Sequence, residues 1–209
     1  MKVGKRLVYG VGINDADYVT QVKETVRMFE GEREQEVIWL CPFYVRWTSM
    51  LARCYSEKQQ LKQPTYRGCS VTSEWLTFTN FKSWMEQQDW EGKELDKDIL
   101  FPGNKVYGPE ACVFVDRKVN LFIIESTSGR GEYPIGVDFS KTSGKFRAQC
   151  NSVNTGQNKH LGSFNTAEEA HKAWLAYKLS QAHILADEQT DERVAEVLAK
   201  RYENYAECA

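Results

Sequence analysis

The sequence predicts an α+β fold: a strand–turn–strand–helix unit with flanking helices, then a small three-stranded antiparallel sheet packed on one helix. Three observations carry this expectation. Residues 94–120, ELDKDILFPGNKVYGPEACVFVDRKVN, run from a short apolar strand through a Gly-Asn turn into a second strand and a helix start. Two stretches before it repeat apolar residues at helical spacing. After it, three short alternating runs lead into a helix with its own start signal.

Taken in order, residues 1–40 form an N-terminal segment of unassigned role. KRLVYGVGI reads as a short strand and NDADY as a turn, while VTQVKETVRMFEGEREQEVIWLC fits helix or strand. CPFYVRWTSMLARCYSEKQ is a helix with Trp47, Met50, Leu51 and Cys54 along one face. QPTYRGCSVTSEW is loop and turn, punctuated by Pro64 and Gly68. LTFTNFKSWMEQQ is a second amphipathic helix whose Phe78, Phe81, Trp84 and Met85 pack into a core. ESTSGRGEYP has the composition of a linker. YPIGVDF, GKFRAQC and KHLGSF then read as strands, and TAEEAHKAWLAYKLSQAHIL as a helix. Thr166 and Glu169 supply its capping box, and Ala170, Trp174, Tyr177 and Ile184 its apolar stripe. The boundaries are 41–125 for the first domain and 133–185 for the second. Residues 186–209 form an acidic helical tail packed loosely or at an edge.

Composition narrows the function classes. The chain has 209 residues, 42% hydrophobic and 27% charged, as a folded soluble protein does. No apolar run reaches membrane-spanning length, and the N-terminus lacks the pattern of a signal peptide, so no membrane partner and a cytoplasmic location are expected. The six cysteines are then reduced thiols, and a structural zinc has weak support because no C-x-x-C pair exists. The net charge of −2 conceals an uneven spread. Residues 130–180 carry seven Lys or Arg against four acids, whereas the tail carries seven acids against three bases. A basic module before an acidic tail fits a phosphate-binding surface.

Within GKFRAQC, alternation places Phe146, Ala148 and Cys150 on one face and Lys145, Arg147 and Gln149 on the other. The first set covers the Trp174 side of the helix. The second offers groups able to meet guanine and adenine edges in a major groove. His171 is expected at the surface, and His183 in a structural role.

The series IGV, GKFRAQ, KHLGSF and TAEEAHKAW resembles the APETALA2-type DNA-binding domain over about fifty residues. In that domain a three-stranded sheet reads double-stranded DNA and a helix backs it. Carried over by position, the resemblance implies DNA contacts from Lys145, Arg147 and Gln149 on the middle strand. It adds Lys159 and His160 on the third strand, and Lys141 in the first hairpin turn as a phosphate contact. This sequence departs from the pattern at Ile135, where plant domains carry arginine, and near His160, where they often carry tryptophan.

Residues 94–120 place Asp96 and Asp98 two apart, on one face of a strand, with Lys97 pointing the other way. Asp116 stands where it caps the following helix, and Asn120 lies about one turn inside it. RWTSMLARCY, CSVTSEWLTFTNFKSW, LDKDIL, NKVYGPEACVFV and Asn120, in that order, resemble the HNH or ββα-metal endonucleases, in particular a phage-associated branch. Joining such a unit to an APETALA2-type domain is a phage arrangement seen in homing-type endonucleases. The resemblance implies DNA cleavage with magnesium or manganese held by Asp96, Asp98 and Asn120, inside a bacterial host cytoplasm. Where that family has an Asp-His pair, this chain has Asp96-Lys97, and Ala111 stands in the place of its usual asparagine. A lysine between two aspartates stays charged: it clamps phosphate but takes no proton, which leaves Asp98 as ligand or base. The second reading is a catalytically inactive DNA-binding or regulatory phage protein directed at host machinery. The third is an interaction module whose tail or Trp-rich helices bind a host protein.

Overall fold

The structure is a computed structural model that describes residues 7–27, 33–123 and 132–203. It is a mixed α and β protein divided into two compact units, Met1–Val115 and Asp116–Ala209. The linker expected at ESTSGRGEYP falls mostly outside the described residues, as does Cys208.

In the first unit, the described part of KRLVYGVGI, residues 7–13, is a tight turn and not a strand: Val8 and Gly12 form an isolated bridge, and Ile13 bridges Thr77. Gly12 is required there, because a Cβ at that position would lie 2.5 Å from the Leu51 side chain and 2.9 Å from the Trp47 ring. The stretch left open between helix and strand is a hairpin, β1 (Gln21–Arg27) against β2 (Arg33–Leu40). Its period-two signal is absent because consecutive residues Val37, Ile38, Trp39 and Leu40 are all exposed, so among its described side chains no face is distinguished by burial.

Helix α1 (Pro42–Tyr55) starts on a proline suited to the first helical turn and buries Trp47, Met50, Leu51 and Cys54. Ser56 ends it and caps the short α2 (Glu57–Lys62) by accepting from the Gln59 amide. Strand β3 (Ser70–Val71) pairs in parallel with β5 (Val106–Tyr107). Helix α3 (Phe78–Met85) buries Phe78, Phe81 and Met85. The Trp75 ring meets Phe81 edge-on at 5.0 Å and lies 4.5 Å from Trp84, which stacks at 5.7 Å on Phe114. The aromatics of the second amphipathic stretch are thus core residues. Strands β4 (Glu94–Asp96) and β6 (Val113–Val115) pair antiparallel, and α4 (Arg117–Ile123) begins two residues after β6.

The second unit holds α4 and a sheet in the order β7–β8–β9 (Val137–Ser140, Lys145–Asn151, Asn158–Phe164), antiparallel throughout. The sheet packs on α5 (Ala167–Asp187), whose Thr166–Glu169 capping box is formed from both sides. Trp174 fills the space over Gly136, a glycine with φ +80° where a Cβ would come within 1.9 Å of the indole. The buried stripe of α5 is broader than the four residues expected: Leu175, Ala182 and Leu185 are buried, while Tyr177 and Ile184 are half-buried.

The described part of the acidic tail, residues 186–203, is not loosely packed. Helix α6 (Glu192–Lys200) buries Val194 and Leu198, and Tyr202 after it is 2% exposed, edge-on to both Trp174 and Phe122. Its charged residues, Glu192, Arg193, Glu196 and Lys200, are all exposed. The carbonyl end of α4 is held by two cations: Lys178 donates to Phe122 O at 2.9 Å and Arg201 to Ile123 O at 2.9 Å. No helix among the described residues is long and apolar enough to cross a membrane.

Candidate nucleic-acid interface

The cross-strand register decides what each face of the sheet carries. Phe139 pairs with Phe146, Phe146 with Phe164, Val137 with Ala148 and Cys150 with Lys159. Paired residues share a face, so this set lies on the side packed on α5, where Ala148 and Cys150 are buried. The outward set is Asp138 with Arg147, Ser140 with Lys145, Arg147 with Ser163 and Gln149 with His160. Lys145, Arg147 and Gln149 therefore form the row the sequence predicts, and His160 joins it. Lys141 is exposed in the β7–β8 turn.

Lys159 does not join that row. Its register partner is Cys150, and its ammonium lies 4.9 Å from the Tyr177 ring on α5. The cause is a bulge: the ladder shifts between Ala148 and Gln149, leaving Leu161 without an opposite number. His160 and Ser163, three apart, thereby share the outward face, with Ser163 Oγ 3.5 Å from His160 Nε2. His171 is half-buried, stacked on Trp174, with Nδ1 3.0 Å from Ile135 O; it packs inside the module instead of lying free at the surface. His183 is exposed, against the structural role expected for it.

One residue on the outward face was not foreseen. Asp138 Oδ2 accepts from Arg147 Nε at 2.9 Å and also from Nη2, and its Oδ1 accepts from Gln149 Nε2 at 2.6 Å. Its slight burial pushes the carboxyl pKa up. The hydrogen bonds from Arg147 and Gln149 and the Arg147 charge outweigh that and hold it below the usual carboxylate range. The signal was present in VDFS, where alternation puts Asp138 outward and the hairpin register puts it opposite Arg147.

No family model, curated protein or solved structure matches the chain.

Residues 94–104 are arranged differently from the expectation. β4 stops at Asp96, so alternation does not extend to Asp98, and the two aspartates are not neighbours on a strand face. Asp96 Oδ1 accepts from the Asp98 and Ile99 amides, both at 2.7 Å, and fastens a turn. Burial raises its pKa despite those two bonds. Lys97 is 5% exposed and points inward. Its ammonium binds Asp98 Oδ1 and donates to Asn104 O at 2.7 Å, and lies 5.8 Å from the Tyr107 ring. Asn104 returns bonds to the Lys97 and Val106 carbonyls. A phosphate contact from Lys97 is thus overturned by its burial.

These carboxylates do not fit a divalent cation as they stand. One oxygen of Asp96 is committed to two amides, and Asp98 is neutralised by an adjacent ammonium. Among the described residues no group of three or more His, Cys, Asp or Glu is disposed to hold a metal. Asn120 lies in α4, in the second unit, where its amide and that of Val119 bond to Asp116 O. Ala111 lies half-buried in the turn before β6. The five described cysteines are free and buried.

Proposed function

We propose that this chain is a double-stranded DNA-binding protein that meets the duplex with the outward face of β7–β8–β9, and that residues 94–104 serve the fold rather than nuclease chemistry. The observation that carries this is the row Lys145, Arg147, Gln149, presented to solvent by a strand whose other face is packed on a helix. Alternate residues on a strand stand about 7 Å apart, close to two base-pair steps. Each outward side chain thus faces a new pair of bases. Arginine matches the guanine O6/N7 edge and glutamine the adenine N6/N7 edge. Lys145 and Lys141 extend the cationic end of the row towards phosphate, and His160 and Ser163 flank it on β9. The resemblance to the APETALA2-type domain supports the same reading.

The experiment pairs supercoiled plasmid, with magnesium or manganese and then chelator, with a gel shift on linear duplex. The expected result is no metal-dependent nicking and a salt-sensitive shift. Arg147→Ala is expected to weaken that shift by about tenfold. Metal-dependent nicking that vanishes in Asp96→Ala would restore the nuclease reading. The absence of both nicking and shift would remove DNA as the partner.

A further inference from the structure

We propose that Asp138 is a positioning residue that sets sequence selectivity, holding Arg147 and Gln149 in the one orientation that reads bases; this rests on the DNA reading above. The guanidinium has five N–H donors in a fixed fork. Asp138 Oδ2 takes Nε–H and one hydrogen of Nη2. What remains is the end-on edge, Nη1 and the other Nη2 hydrogen, two parallel donors that match guanine O6 and N7. Gln149 turns its amide nitrogen to Asp138 Oδ1 because a carboxylate accepts and cannot donate. Its Oε1 and second N–H stay free, an acceptor–donor pair complementary to adenine N6–H and N7.

Both readers are long side chains with large rotamer freedom, and that freedom is lost on binding wherever it is not already removed. A single carboxylate shared between them removes it beforehand. The arrangement also lowers general attraction to phosphate. Asp138 places an anion at the centre of the cationic row, so the part of binding that ignores sequence is weakened. Arg147 and Asp138 have side chains 43% and 41% exposed, so the carboxylate faces the same solvent that a duplex would occupy. Selectivity is a ratio of affinities, and Asp138 acts on both terms.

The test is selection from a randomised duplex pool by wild-type protein, followed by affinities for the selected duplex and a scrambled one. Asp138→Asn keeps one acceptor oxygen but loses the charge and the two-sided grip. It is expected to bind scrambled duplex more tightly and to lose about tenfold in the selected-to-scrambled ratio. Asp138→Glu, which keeps the carboxylate, is expected to recover part of that ratio. A variant that gains equally on both duplexes, with its ratio unchanged, would mean that Asp138 acts only through charge and would overturn the proposal alone. A wild-type protein that retains no duplex from the pool at low salt would overturn the DNA reading and this proposal together. Thermal melts of each variant, expected to stay close to wild type because Asp138 and Arg147 form a half-exposed surface pair, guard against misreading an unfolded protein.

Discussion

Asp96 shows how a carboxylate on the expected metal edge acts instead as an internal acceptor. Its Oδ1 fastens two successive amides, and burial holds its pKa above the ordinary value. A raised pKa in the folded state gives stability that is fully present below the unfolded carboxylate pKa. That stability is lost as pH rises through the folded value. Asp96→Asn keeps an acceptor oxygen for both amides and has no charge to bury. Its stability relative to wild type is therefore expected to improve between about pH 4 and about pH 7. Asp96→Ala loses both bonds and is expected to cost about 1–3 kcal/mol. Urea melts of the two variants at both pH values measure this. An Asn variant that loses stability relative to wild type on going to neutral pH would reverse the sign of the argument. Lys97 carries the complementary lesson. Alternation sets it opposite Asp96, on the side of buried Leu95, but its charge argues for a surface place and hid that it is enclosed with Asp98 and Asn104 as partners.

Among the elements, α5 was the most readable and β1–β2 the least. The Thr166–Glu169 box and the following apolar spacing specify α5 from local chemistry alone, and both halves of the box form. Thr166→Ala is expected to lower stability by about 1 kcal/mol, measured as a fall in melting temperature with unchanged far-ultraviolet signal. An unchanged melting temperature would show that tertiary packing, not the cap, fixes the start of this helix. The strands of the same module were legible because one face is buried, which imposes the period of two on GKFRAQC. β1–β2 has no such constraint among its described side chains. The packing of α6 was hidden for another reason: acids dominate the charge of the tail that contains it, while burial depends on Val194 and Leu198 and on Tyr202 just after the helix. The outward row was legible on β8 and only partly on β9, where the bulge reassigns Lys159. Asp138 was missed because its role depends on a cross-strand partner and not on its sequence neighbours.

At the scale of the molecule, the described thiols are all enclosed: Cys41, Cys54, Cys69 and Cys112 in the first unit and Cys150 in the second. Burial pushes Cys54 and Cys112 up to about 12 and raises Cys150 as well, so little thiolate is available to react. In a Cys208→Ser background, an aromatic disulfide reagent is expected to react slowly with the native protein and to titrate five thiols once it is denatured. Rapid labelling of the native protein would show that these interiors open readily. The bulge at Leu161 has a consequence of another kind. It gives β9 two phases, one before and one after a single residue, and the outward face is coherent only because the phase changes there. Strand ends are bordered by turns that can change length without moving a side chain to the other face. At Leu161, in contrast, gaining or losing one residue exchanges the two faces for half a strand. The position behaves as a frame mark inside the structure, and the polar row can vary residue by residue far more freely than β9 can vary in length.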